Sequence, residues 1–78
     1  MSKFKLNDRV IWDSGFGYEI GYFKGNDYKN DTTLMLASGK LYGSLQVHNT
    51  SEVFPYSLEL VERLTKKYKY EKKFSEIF

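Results

Sequence analysis

Residues 7–25, NDRVIWDSGFGYEIGYFKG, decide how the chain is read, because they hold Trp12, four other aromatics and four of the six glycines. Side chains alternate between the two faces of a strand, so parity is the first test. From Lys3 to Trp12 the even positions Phe4, Leu6, Val10 and Trp12 are apolar, and Lys3, Lys5, Asn7 and Arg9 lie between them. Asp8 and Ile11 break the alternation, which predicts a bend or bulge near Asn7 and Asp8. After a turn at Asp13, Ser14 and Gly15 the even positions are again apolar, at Phe16, Tyr18, Ile20 and Tyr22, with Glu19 pointing the other way between Gly17 and Gly21. The stretch therefore reads as a hairpin, with Trp12, Tyr18 and Tyr22 turned toward a common core. Gly17 and Gly21 permit the coiling that a small, tightly curved sheet requires.

The remainder of the first 56 residues continues in short strands. Residues 25–31 (GNDYKND) are turn formers around Tyr28 and predict an exposed loop. Residues 32–37 (TTLMLA) run from β-branched to continuously apolar, as in a strand covered on both faces. Ser38, Gly39 and Lys40 turn the chain into residues 41–47, where Leu41, Gly43, Leu45 and Val47 are expected inward and Tyr42, Ser44, Gln46 and His48 outward. Residues 52–54 form a fifth short strand ended by Pro55.

From Ser57 the apolar period changes to three and four residues, through Leu58, Val61, Leu64 and Tyr68, and predicts an amphipathic helix. Ser57 is its N-cap, with Glu59 and Glu62 early and Lys66, Lys67 and Lys69 late, as the helix dipole favours. Tyr70, Phe74 and Ile77 fall off the first stripe, so the helix either wraps across the sheet or restarts beyond Tyr68. The expected organisation is one domain, a small β-barrel over residues 1–56 with a basic helix over residues 57–78 packed on it.

Seventy-eight residues leave room for one domain with a thin core. With no cysteine to staple it, the fourteen aromatics must supply the buried area. The absence of cysteine is compatible with a reducing compartment. Nor is there a signal-peptide core or an apolar run of membrane-spanning length, and the expectation is a cytoplasmic protein with no membrane partner. The net charge is only +2, yet residues 57–78 carry six Lys/Arg against four Asp/Glu while residues 1–56 balance.

The order of elements, an NDRVIW strand first and VFP before a terminal helix, resembles the small Src-homology-type (SH3-like) barrels, including the Tudor and KOW groups. Gly17-Tyr18-Glu19-Ile20-Gly21 is similar in character to the glycine-spaced segment of KOW modules. Trp12, Tyr18, Tyr22 and Tyr42 are chemically suited to an aromatic cage of the Tudor kind. The resemblance implies a five-stranded antiparallel barrel capped by the helix and a tendency to bind. It carries over no functional residue.

Two candidate surfaces follow. Tyr42, outward-facing beside Lys40, joins Phe16 and Tyr28 at loop tips in a protein-recognition rim. Arg63, Lys66, Lys67, Lys69, Lys72 and Lys73, interleaved with Tyr68, Tyr70 and Phe74, form a phosphate-tracking surface with stacking groups, although helical spacing splits them between two sides. Chemistry is poorly provided for. His48 is the only histidine and stands without a second His or any Cys, so no zinc site or catalytic dyad forms around it. Asp13 and Glu19 flank the same hairpin without a cleft between them. No glycine run precedes a helix as a phosphate loop does. The reading is a non-catalytic, cofactor-free binding module for an as yet unidentified protein, in the manner of an adaptor, an inhibitor or a phage-type accessory protein. Binding of DNA or RNA through the basic helix is the alternative, and self-association of a monomer or weak homodimer through a strand edge is the third reading.

Overall fold

A computed structural model describes residues 4–38 and 43–68. The strands are β1 (Arg9–Asp13), β2 (Tyr18–Asp27), β3 (Thr32–Ala37), β4 (Leu45–Asn49) and β5 (Val53–Pro55), and one helix, α1 (Leu58–Lys67), follows them. All neighbours are antiparallel in a five-stranded sheet of order β4-β3-β2-β1-β5, with a short 3-10 turn, Thr50–Glu52, leading into β5. The expected barrel is not closed. β4 and β5 are the two edges of an open sheet.

The expected bend precedes β1. Asn7 has φ 72°, the Asp8 amide donates to the Lys5 carbonyl, and Asp8 Oδ2 accepts from the Lys5 amide. Phe4 is thereby folded back against Phe23, with ring centroids 5.3 Å apart. Between β1 and β2, Ser14 holds the turn. Its hydroxyl accepts from the Phe16 and Gly17 amides and donates to the Gly17 carbonyl, while Asp13 Oδ1 accepts from the amide of Gly15, whose φ is +89°.

This turn spans residues 14–17, and its even length inverts the expected parity. Asp13 pairs with Tyr18 and Trp12 with Glu19, so even positions of β1 share a face with odd positions of β2. On one face Val10, Phe23, Met35 and Val53 form a core with Phe4, against which Trp12 packs. On the other, Ile11 and Tyr18 pack with Leu64 and Tyr68 of the helix, joined by Ile20, Tyr56, Leu60 and Val61. Tyr18 and Tyr22 thus do not share a core with Trp12, and Glu19, expected outside, is fully buried.

β2 runs further than the loop chemistry of residues 25–31 predicts. A bulge between Phe23 and Gly25 lets the strand continue to Asp27, and only residues 28–31 remain as the connection. Asp27 closes that connection by accepting from the Lys29 and Asn30 amides and from the Asn30 side chain.

The alternation in the fourth strand is present with its faces exchanged. Met35 pairs with Gln46 and Thr33 with His48, which places Gln46 and His48 on the Met35 face and Leu45 and Val47 on the helix face. β3 is likewise covered on one face, with Thr33, Met35 and Ala37 buried and Thr32, Leu34 and Leu36 partly exposed. Ser57 caps the helix as expected, its hydroxyl accepting from the Leu60 amide. The buried stripe starts at Leu60 and Val61, and Leu58 is turned to solvent. Among the described residues no helix is long and apolar enough to cross a membrane. Tyr42, Lys69, Lys72, Lys73 and the continuation through Tyr70, Phe74 and Ile77 lie outside the described residues.

Candidate functional site

Among the described residues, α1 packs on Ile11, Tyr18 and Ile20 of its face of the sheet. Tyr68 donates its hydroxyl hydrogen to Asp13 Oδ1, Lys67 Nζ lies 3.4 Å from Asp13 Oδ2, and the Tyr18 and Thr65 hydroxyls are 3.2 Å apart. Burial pushes the Asp13 pKa up, but hydrogen bonds from Tyr68 and Gly15, together with the Lys67 charge, outweigh it and hold the carboxyl below its ordinary value. These contacts seat α1 over β1 and the start of β2.

Beyond the helix, the same face continues onto β3 and β4 as two cross-strand rows. One is Val47–Leu34–Gly25 and the other Leu45–Leu36–Tyr22, which leads on to Arg9. Leu45 and Val47 are 59% and 61% exposed. Gly25 supplies no side chain to its row, and a hollow of about 330 Å³ opens there, between the apolar walls Leu34 and Val47 and the polar rim of Lys24, Asp27 and Thr32. The Lys24 ammonium is turned to Asn7 Oδ1. The second row is closed at its far end by the Arg9 guanidinium, 5.9 Å from the Tyr22 ring centroid and 4.6 Å from that of Tyr56.

The opposite face holds a polar cluster at its rim. Trp12 and His48 stack with centroids 3.5 Å apart and planes 10° from parallel, Trp12 Nε1 donates to Glu52 Oε1 at 3.1 Å, and His48 Nε2 is 2.8 Å from Gln46 Oε1. Burial lowers the His48 pKa to about 4, against the opposing pull of Glu52. Glu19 lies on this face across from Trp12, and both of its carboxylate oxygens are buried without a hydrogen-bond partner.

The residues singled out from sequence are distributed differently from the expectation. Phe16 and Tyr28 are both exposed, at 68% and 67%, but they sit beyond opposite ends of the ten-residue β2 and form no common rim. Arg63 is 3.4 Å from Glu59 and Lys67 is held by Asp13, so of the described basic candidates only Lys66 has no ion pair. Asp13 and Glu19 stand on opposite faces and make no carboxylate pair. Leu45 and Val47 were expected in the core. Their exposure follows from the register of β4 on β3, which the alternation of β4 alone does not determine.

No family model, curated protein or solved structure matches this chain.

Proposed function

We propose that this protein is a non-catalytic binding module that docks a protein partner on the face formed by Leu34, Leu36, Leu45 and Val47. The observation that carries the reading is the exposure of Leu45 and Val47, 59% and 61%, beside the partly exposed Leu34 and Leu36 on the neighbouring strand. Apolar side chains exposed singly need no explanation, whereas a contiguous group of four at a sheet edge is the kind of surface that partners occupy. Placement of β1 between β2 and β5, with a 3-10 turn before the last strand, supports an opened relative of the small Src-homology-type barrels. We assign it to the cytoplasm on its cysteine-free composition.

Pairing of Arg63 and Lys67 with carboxylates weighs against the basic helix as the primary contact surface. A photo-crosslinking amino acid placed at Leu45 and, separately, at Lys66 in cells that make the protein decides between the two surfaces. Discrete protein adducts from position 45 and none from position 66 are expected. Adducts to nucleic acid from position 66, with position 45 silent, would overturn the reading.

A further inference from the structure

We infer that the β4 edge of the docking face pairs with a second copy of this chain, through two-fold antiparallel addition of β4 to β4. This rests on the docking surface proposed above and names the partner at its edge. The Ala37 amide donates to the Ser44 carbonyl and the Thr50 amide to the Asp31 carbonyl, both at 3.0 Å. In an antiparallel ladder every second residue of a strand bonds the same neighbour, so Ser44, Gln46, His48 and Thr50 are directed at β3. The N–H and C=O groups of Leu45, Val47 and Asn49 consequently point away from the sheet along an edge that no other described strand occupies.

Those three residues are self-complementary. A two-fold axis beside Val47 sets Val47 against Val47 of the second copy and Leu45 against its Asn49, and all three outward residues exchange hydrogen bonds in both directions. The row Val47–Leu34 then continues into its counterpart, giving four apolar side chains side by side across the joint. No like charges meet, because the strand LQVHN contains no Asp, Glu, Lys or Arg. Natural sheet edges are normally blunted by charge, proline or a bulge. β5 is blunted in this way, being three residues long and ending at Pro55. β4 is not.

A five-residue strand pair buries less than the roughly 1,200 Å² of a standard interface, so the association is weak, with a dissociation constant of about 10–200 µM. Sedimentation of the full chain from about 5 to about 500 µM tests it, alongside Val47→Lys, which opposes two charges at the axis, and Val47→Pro. The proline removes an outward N–H that β3 does not use, a position edge strands tolerate. Concentration-dependent dimerisation of the wild type, lost in both variants, is the expected result. A wild type that stays monomeric throughout, or variants that still dimerise, would overturn the inference. Should the variants fail to fold, amide exchange of the wild type decides alone. Protection at Leu45, Val47 and Asn49 must rise with protein concentration, and no rise sinks the proposal. A monomer that still gives protein adducts from position 45 would remove the second copy as occupant and leave the docking face standing.

Discussion

His48 of β4 lies flat on Trp12 of β1, ring centroids 3.5 Å apart, although the two strands are separated in the sheet by β3 and β2. The stack ties the edge strand β4 to the sheet centre across the Met35 face. Burial in this stack lowers the imidazole pKa from 6.5 to about 4, so the folded state prefers the neutral ring.

A pH dependence follows with a definite sign. Between the unfolded value and about 4 the unfolded chain binds more protons at His48 than the folded one, so stability is full above pH ~6.5 and falls as pH drops toward 4. Because the ring is only part-buried, the loss is on the order of 1–2 kcal/mol. Urea titrations followed by Trp12 fluorescence between pH 7.5 and 4.5 measure it. His48→Phe keeps the stack without the titrating nitrogen and should flatten the curve over that range. An unchanged slope in that variant would move the effect to another group.

Glu19 predicts a gain on substitution. Its side chain is fully buried across from Trp12, and neither oxygen has a hydrogen-bond partner. Burying a polar group unsatisfied costs about 1–3 kcal/mol. Glu19→Met keeps the length and removes the polar atoms, and should stabilise by a similar amount, raising the melting temperature by about 4–8 °C per kcal/mol for a domain of this size. A lower melting temperature would mean that the carboxylate contributes an interaction the fold requires.

Gly21 predicts the reverse. A Cβ there would stand 2.6 Å from the Leu36 carbonyl oxygen and 2.6 Å from Met35 Cγ. The side chain of Met35 can yield, but the carbonyl belongs to the β2–β3 ladder and cannot. Gly21→Ala should therefore cost about 2–3 kcal/mol, and trimming Met35 to Ala in the same chain should not restore it. Thermal denaturation of the single and double variants checks both statements.

Much of the backbone was legible because the local chemistry is strong. β3 has the bounds that TTLMLA implies, Ser57 caps the helix, and the bend at Asn7 is where Asp8 and Ile11 break the alternation. What escaped was the assignment of faces. The turn of residues 14–17 sets whether Glu19 or Tyr18 shares a side with Trp12, and its length is not visible in strand parity. The same holds for β4, where Leu45 and Val47 alternate with Gln46 and His48 in either orientation. The exposed apolar face was missed for that reason, since it is built from the residues that hydrophobicity alone sends inward. The hollow at Gly25 had a usable signal, a glycine amid turn formers, but only the bulge turns it into a gap in a strand.

Asp13 predicts how firmly the helix is held. It accepts from Tyr68 at the last turn of α1 and from the Gly15 amide in the hairpin, with Lys67 as its ion pair, so one carboxylate joins the hairpin tip to the helix end. Its pKa is held below the ordinary 3.8, which means that its contribution to stability is full above that value and is lost as pH falls through the folded value. The loss therefore begins where that of His48 has ended, and the two are separable in one acid titration. Asp13→Ala and Tyr68→Phe should each cost about 1–2 kcal/mol, and the double variant little more than Asp13→Ala alone, because both remove the same hydrogen bond. Helical signal lost before strand signal during denaturation of Asp13→Ala would mark the helix as the part released. Strict additivity of the two substitutions would show instead that Tyr68 and Asp13 act independently.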